Sequence, residues 1–146
     1  MNLLKTIFDF EKLAALLQRP DFTMRYDCMH GVQGPYAREV FCRELGAPES
    51  VLLNAVPKDD FNGGHADPNL TYARDICDIM GIDRTGMVMP CDDAKNIPCF
   101  GAAADGDADR NMILGRQFFV TPSDSLAIIA AHADVIPFFR LQGGLK

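Results

Sequence analysis

The sequence predicts an α/β domain: a small mixed β-sheet, three parallel strands plus an antiparallel hairpin at one edge, sandwiched between helices. Three observations predict it. Helical apolar stripes alternate with short β-prone runs in the order helix, strand, helix, strand, helix, strand, hairpin, helix. Proline and glycine punctuate those runs at their ends. The 146 residues, 48% apolar and 23% charged, fit one ordinary globular domain that buries about 70% of its unfolded surface.

Each element has a local reason. Leu3, Ile7, Phe10, Ala14 and Leu17 form one stripe, so residues 3–19 read as an amphipathic helix stopped by Pro20. Residues 23–29 suit a strand, and His30-Gly31-Val32-Gln33-Gly34 a turn. Pro35 opens a helix to Leu45, with Gly46 just past its end. Residues 50–56 form the second strand, closed by Pro57, and a polar loop runs to His65. Asp67-Pro68 reads as an N-cap and first helical position, starting a helix through Leu70, Ala73, Cys77 and Met80 that Gly81 stops. Residues 82–97 are a long connection and 98–104 the third strand. Residues 111–114 and 117–120 pair as a hairpin about Gly115-Arg116. Thr121-Pro122-Ser123-Asp124 starts a helix to about 135, apolar nearly all round and so expected to be well buried. The tail 136–146 has no core of its own.

Helical crossovers join the first three strands, so these should run parallel with right-handed connections. The loops leaving them, 28–34, 57–65 and 105–110, should then gather on one sheet edge, where open α/β sheets bind ligands.

The net charge of −6 argues against nucleic acid and anionic membranes as partners. Cysteines 28, 42, 77, 91 and 99 are odd in number and hold no C-x-x-C pair, which indicates neither a disulfide framework nor zinc. Most of them read as small core residues in a reducing compartment. Charges interrupt the N-terminal apolar run, so no signal peptide is expected, and no apolar stretch is long enough to span a membrane. These features read as cytoplasmic.

The chemistry concentrates in Ala104-Asp105-Gly106-Asp107-Ala108-Asp109-Arg110. Carboxylates this close repel one another unless a cation joins them. Small residues at 106 and 108 let the loop curl until the oxygens converge. Hard oxygens suit Mg²⁺, which keeps room for water or phosphate, and the arginine adds a planar fork for a phosphate oxygen. An EF-hand is excluded, because its sixth and twelfth positions fall on Arg110 and Arg116 rather than Gly and Glu. A solvated acidic turn is the plain alternative; the arginine and the preceding apolar strand favour a metal site. Elsewhere the plain readings win. His30 is expected to bond backbone, His65 to cap or pack, and His132 to be structural. Ser123 and Ser125 are expected to cap, and the Asp59-Asp60 pair to be solvated.

Four runs together resemble the phosphoglucomutase family, in the α-D-phosphohexomutase superfamily. They are Met29-His30-Gly31-Val32-Gln33-Gly34-Pro35-Tyr36, Gly64-His65-Ala66-Asp67-Pro68-Asn69-Leu70-Thr71-Tyr72-Ala73, 105–115, and Val120-Thr121-Pro122-Ser123-Asp124-Ser125. The resemblance implies the second of four domains around a deep cleft. It implies interconversion of glucose 1-phosphate and glucose 6-phosphate through a phosphoserine and glucose 1,6-bisphosphate. Asp105, Asp107 and Asp109 carry over as Mg²⁺ ligands, and Asp109 and Arg110 as substrate-phosphate contacts. The family's T-A-S-H-N-P serine run and G-E-E-S-F-G sugar run do not occur here, and Cys28 stands where the family has Gly or Ala. No catalytic residue is therefore expected in this chain. It resembles an isolated second domain, residues 1–136, with 137–146 a linker towards a missing third domain. On this reading the piece is inactive alone, and its bared faces self-associate. The rival reading is a non-catalytic, parafusin-type binding or scaffold protein of the same family.

Overall fold

The computed structural model describes residues 1–145. Its centre is a five-stranded sheet in the order β2-β1-β3-β4-β5, with β1 Met24–Asp27, β2 Leu52–Leu53, β3 Phe100–Ala104, β4 Asn111–Gly115 and β5 Phe118–Val120. β1 pairs in parallel with both β2 and β3, while β3, β4 and β5 form an antiparallel meander. This is the mixed sheet expected from the order of elements.

Strand alternation divides the core into two layers. On one face Met24, Val51 and Ala47 pack with Leu17, Phe22, Phe41 and Phe100. On the other, helix α4 (residues Arg74–Met80) sets Ile76, Cys77 and Met80 against Ala103, Met112 and Leu114. Ile76 and Met80 are fully buried, each worth roughly 1.5–3 kcal/mol of transfer free energy. The small residues of β3 let α4 come close: a Cβ at Gly101 would lie 2.7 Å from Met80 Cγ.

Several elements differ from expectation, each for a local reason. The predicted helix 3–19 is two, α1 Asn2–Ile7 and α2 Phe10–Leu17. Phe8 is extended, and the Asp9 carboxylate accepts the Lys12 N–H at 3.1 Å, so the acid caps a new helix instead of continuing the old one. Helix α3, Gly34–Ala37, begins as its proline predicts but widens to a π-helix over Arg38–Glu44. There Leu45 N–H reaches Val40 O, while Phe41 O takes the Ala47 N–H. The second strand is two residues long, because Glu49–Val51 coil as a 3₁₀ turn and Asn54 takes a positive φ of 50°.

Asp67 does not cap α4. Its carboxylate is taken by Arg110 and Asn69, and Asn69 Oδ1 accepts the N–H groups of Thr71 and Tyr72. The helix consequently starts at Arg74 and ends, as expected, at Gly81 with φ 71°. The largest correction concerns α5, Pro122–Ala131. It is capped by Thr121 but is not buried: Leu126, Ile128 and Ile129 are 66%, 56% and 53% exposed. α4 covers one sheet face and α2 with the π-helix the other, so a helix that follows edge strand β5 finds no face left to cover it. Helix α6, Pro137–Leu141, turns back against α1. No helix among the described residues is long and apolar enough to cross a membrane.

A Cβ at Gly34 would lie 2.2 Å from the Ala55 carbonyl oxygen, where backbone meets backbone. Gly34→Ala should therefore cost about 1–3 kcal/mol of stability, read as a lower urea midpoint. An unchanged midpoint would contradict this packing of α3 on the chain after β2.

Candidate metal centre

The loop 105–110 joins paired residues Ala104 of β3 and Asn111 of β4. It closes on itself through Asp105 N–H to Arg110 O at 3.3 Å and Ala108 N–H to Asp105 O at 3.2 Å, with Ala108 in a left-handed turn at φ 65°. The curl brings one carboxylate oxygen each from Asp105, Asp107 and Asp109 within 4.8 Å of one another. Asp105 is buried at 3% exposure, whereas Asp107 and Asp109 face solvent.

Arg110 makes this arrangement tolerable. Its backbone N–H donates to Asp105 Oδ1 at 3.0 Å and its Nε to Asp105 Oδ2 at 2.9 Å. Its Nη1 donates to Asp67 Oδ1 at 3.0 Å, and Asn69 Nδ2 holds the other Asp67 oxygen at 2.7 Å. Burial pushes the Asp105 carboxyl up, but the two Arg110 bonds and the guanidinium charge outweigh it and hold the acid below the usual carboxylate range. Asp109 moves the other way, because the charges of Asp107 and Asp105 raise its pKa. The Arg110 guanidinium is itself raised, chiefly by its bond to Asp105.

The three loops expected on one edge do meet. Gly31 lies against the Gly106 backbone, and the Phe61 ring against Gly106 on another side. His30 bonds backbone through Nδ1 to Val56 O at 2.9 Å, and His65 packs on Tyr72 with ring centroids 4.4 Å apart. His132 caps the C-terminus of α5 and is exposed. Thr121, not a serine, caps that helix, and Ser125 Oγ donates to Pro122 O. Asp60 caps its own 3₁₀ turn and stands outside the carboxylate cluster. All five cysteines are free thiols, with Cys28 and Cys77 buried.

Three residues of the site's surroundings escape single-sequence reading. Asp67 looks like a helix cap yet grips Arg110, 43 positions away. Gln33 is buried, with Nε2 donating to Ala104 O at 3.2 Å. Asp27, also buried, accepts from Met29 N–H and Asn54 Nδ2. Burial raises its pKa, against the pull of those bonds.

The family model described as phosphoglucomutase/phosphomannomutase, alpha/beta/alpha domain II, matches residues 2–117. The chain belongs to this family. The phosphoglucomutase/phosphomannomutase domain II here is 60% identical over its whole length to a cytoplasmic phosphoglucomutase of Bromus inermis. It is also 60% identical to a probable cytoplasmic phosphoglucomutase of Arabidopsis thaliana. It spans 24% of the length of each of those relatives. The crystal structure of the exocytosis-sensitive phosphoprotein parafusin, a phosphoglucomutase of Paramecium in its open form, superposes with a TM-score of 0.86 at 54% identity. That match covers 92% of this chain and 23% of the Paramecium protein.

The Asp105–Arg110 pair sets a pH dependence. Asp105 titrates below its unfolded value of about 4. Its contribution to stability is thus full above that pH and lost as pH falls through the depressed value. Arg110→Ala should lower the urea midpoint at pH 7, and the deficit should close once acid has protonated Asp105. A deficit equal at pH 7 and in strong acid would refute the pairing.

Proposed function

We propose that this domain supplies the Mg²⁺-binding part of a phosphoglucomutase active site, with Asp105, Asp107 and Asp109 as ligands. One observation carries the reading: three carboxylate oxygens converge within 4.8 Å beside a fixed arginine. The donor set fits the ion. It is all hard oxygen, and the raised pKa of Asp109 marks a repulsion that a cation relieves. Two of the three acids face solvent, which leaves room for water or a phosphate. Bound there, Mg²⁺ would neutralise charge on a transferring phosphoryl group.

The chain's own residues orient that group. Arg110, immobilised by Asp105 and Asp67, would present its remaining N–H groups to a sugar phosphate, and Asp109, whose Oδ1 lies 3.7 Å from Arg110 Nε, would stand beside it. The parent protein would interconvert glucose 1-phosphate and glucose 6-phosphate through a phosphoserine and glucose 1,6-bisphosphate; the relatives' names, cytoplasmic phosphoglucomutase, support the mutase activity and the compartment. The serine and sugar runs do not occur among these 146 residues, so this chain alone would not turn over. Residues 1–136 would form the working domain and 137–146 the link onward. Further domains of the parent would cover α5, and neither nucleic acid nor membrane is a partner. A parafusin-type scaffold role is the second reading, favoured by the likeness to the exocytosis-sensitive phosphoprotein. An intact T-A-S-H-N-P run in the parent gene would decide for the enzyme.

Calorimetric titration of the chain with Mg²⁺ tests the site. Saturable binding is expected, weakened at least about tenfold by Asp107→Asn. The affinity of the unsubstituted chain should rise with pH through the elevated pKa of Asp109, because its proton must leave. Absence of saturable binding overturns the reading for this chain.

Sedimentation tests the bared α5. The exposed Leu126, Ile128 and Ile129 should drive association at high concentration. Monomer alone at millimolar chain would count against it.

A further inference from the structure

The loop 28–34 offers no metal ligand, yet it holds both chain neighbours of Asp105. We propose that Gly31 and Gln33 are positioning residues of the metal centre. They fix the backbone on either side of Asp105 and so set where its carboxylate meets those of Asp107 and Asp109. The inference rests on the metal reading above.

Gln33 holds the residue before. It is 5% exposed, and Tyr26 Oη–H donates to its Oε1 at 3.0 Å. That bond orients the amide so that Nε2 donates to Ala104 O at 3.2 Å. The Ala104 carbonyl can only accept, so the two partners together leave one amide orientation.

Gly31 holds the residue after. A Cβ there would lie 2.5 Å from Gly106 O and 2.7 Å from Gly106 Cα. Both are backbone atoms, so no side-chain rotation relieves the clash. Gly31 is absent from the positive-φ glycines, so the cost of a side chain is contact and not conformation.

The metal loop, and not the floor beneath it, should give way. The floor is tied by Met29 N–H to Asp27 Oδ1 at 2.8 Å, His30 N–H to Asn54 O at 2.9 Å and Gly31 N–H to Cys28 O at 2.8 Å. The loop above is closed by bonds internal to it, Asp105 N–H to Arg110 O at 3.3 Å, Ala108 N–H to Asp105 O at 3.2 Å and the two Arg110 bonds to the Asp105 carboxylate, none of which ties Gly106, Asp107 or Asp109 to the floor. A push at Gly106 therefore passes to Asp107 and Asp109, which no comparable packing restrains. A shift of a few tenths of an ångström in ligand geometry matters, since outer residues of metal sites commonly change affinity about 10- to 100-fold.

The test compares Gly31→Ala and Gln33→Met with two controls. Val32→Ala changes the exposed side chain between them, and Gly101→Ala presses on Met80 away from the loop, reporting stability loss alone. Mg²⁺ affinity by calorimetry and amide NMR shifts of 105–110 in metal-free protein are both read on folded samples. Gly31→Ala and Gln33→Met should bind Mg²⁺ about 10- to 100-fold more weakly and shift those amides. Both controls should bind as the unsubstituted chain does and leave the amides in place. Unmoved amides and unchanged affinity in folded Gly31→Ala or Gln33→Met overturn the proposal. If the unsubstituted chain binds no Mg²⁺, the metal reading fails, and the amide shifts decide the positioning claim by themselves. Should Gly31→Ala not fold, Gln33→Met decides it.

Discussion

The site hangs on one ion pair, Asp105 with Arg110. Asp105 is nearly sealed from water, and an isolated carboxylate there would be costly. Arg110 answers it twice, through its backbone N–H and its Nε, so the same residue closes the loop and neutralises the acid. A lysine could not do this, since it lacks the planar fork that meets one carboxylate and leaves another edge free. With Asp105 fixed, Asp107 and Asp109 sit on a six-residue loop between two antiparallel neighbours in register, with their side chains facing solvent. Their mutual repulsion is what remains, and it appears in the raised pKa of Asp109.

Close backbone approach recurs in the layers around that ion pair. β3 carries Gly101 and three alanines, each buried, so neighbouring layers come within a side chain's width of it. Gly31 and Gly34 do the same for the turn after β1, one against Gly106 and the other against Ala55. The strain sits nearby as well: Met29, His30, Asn54 and Phe61 all have positive φ in the loops that border the acidic turn. Left-handed non-glycine residues carry a conformational cost, and the hydrogen bonds of Asp27, Asn54 and Val56 offset it here. The sheet thus gives a rigid platform, and the irregular backbone is concentrated where the carboxylates stand.

Much of this is legible in the sequence, and the misses have physical causes. The order of helices and strands gave the parallel centre and the hairpin edge, because crossover length and turn chemistry are local properties. The gathering of loops 28–34, 57–65 and 105–110 followed from that topology alone. The convergence of Asp105, Asp107 and Asp109 was legible because three acids at alternate positions are expensive without a reason. Asp67 was misread because an acid before proline looks like a helix cap, and only the tertiary fold reveals that Arg110 competes for it. Asp9 was missed because its capping bond breaks a stripe whose periodicity continues across it. Helix α5 was misjudged because apolar composition reports that a helix needs a partner surface, not that this sheet provides one. The membership in the phosphoglucomutase family, by contrast, was readable from four short runs spread over nearly the whole chain.

On the proposed function an acidic chain would have to receive phosphates, which needs a local reversal of field, and Arg110 is placed to supply it in a constrained way. A guanidinium has five N–H donors. Nε and one Nη1 hydrogen are engaged by Asp105 and Asp67, and among the described residues no side chain accepts from Nη2. The two engaged donors fix the plane of the group, and the free ones define a single open edge. A phosphate approaching that edge meets an oriented fork without having to order a mobile side chain, so less entropy is lost on contact. The same two carboxylates that hold the fork also dilute its charge. On the proposed function, attraction at this spot would stay weak until a cation joined the aspartates, so anion and metal binding would be interdependent rather than additive. With a net charge of −6 on the chain, the metal and arginine of the proposed site would together supply the local field that an anion needs.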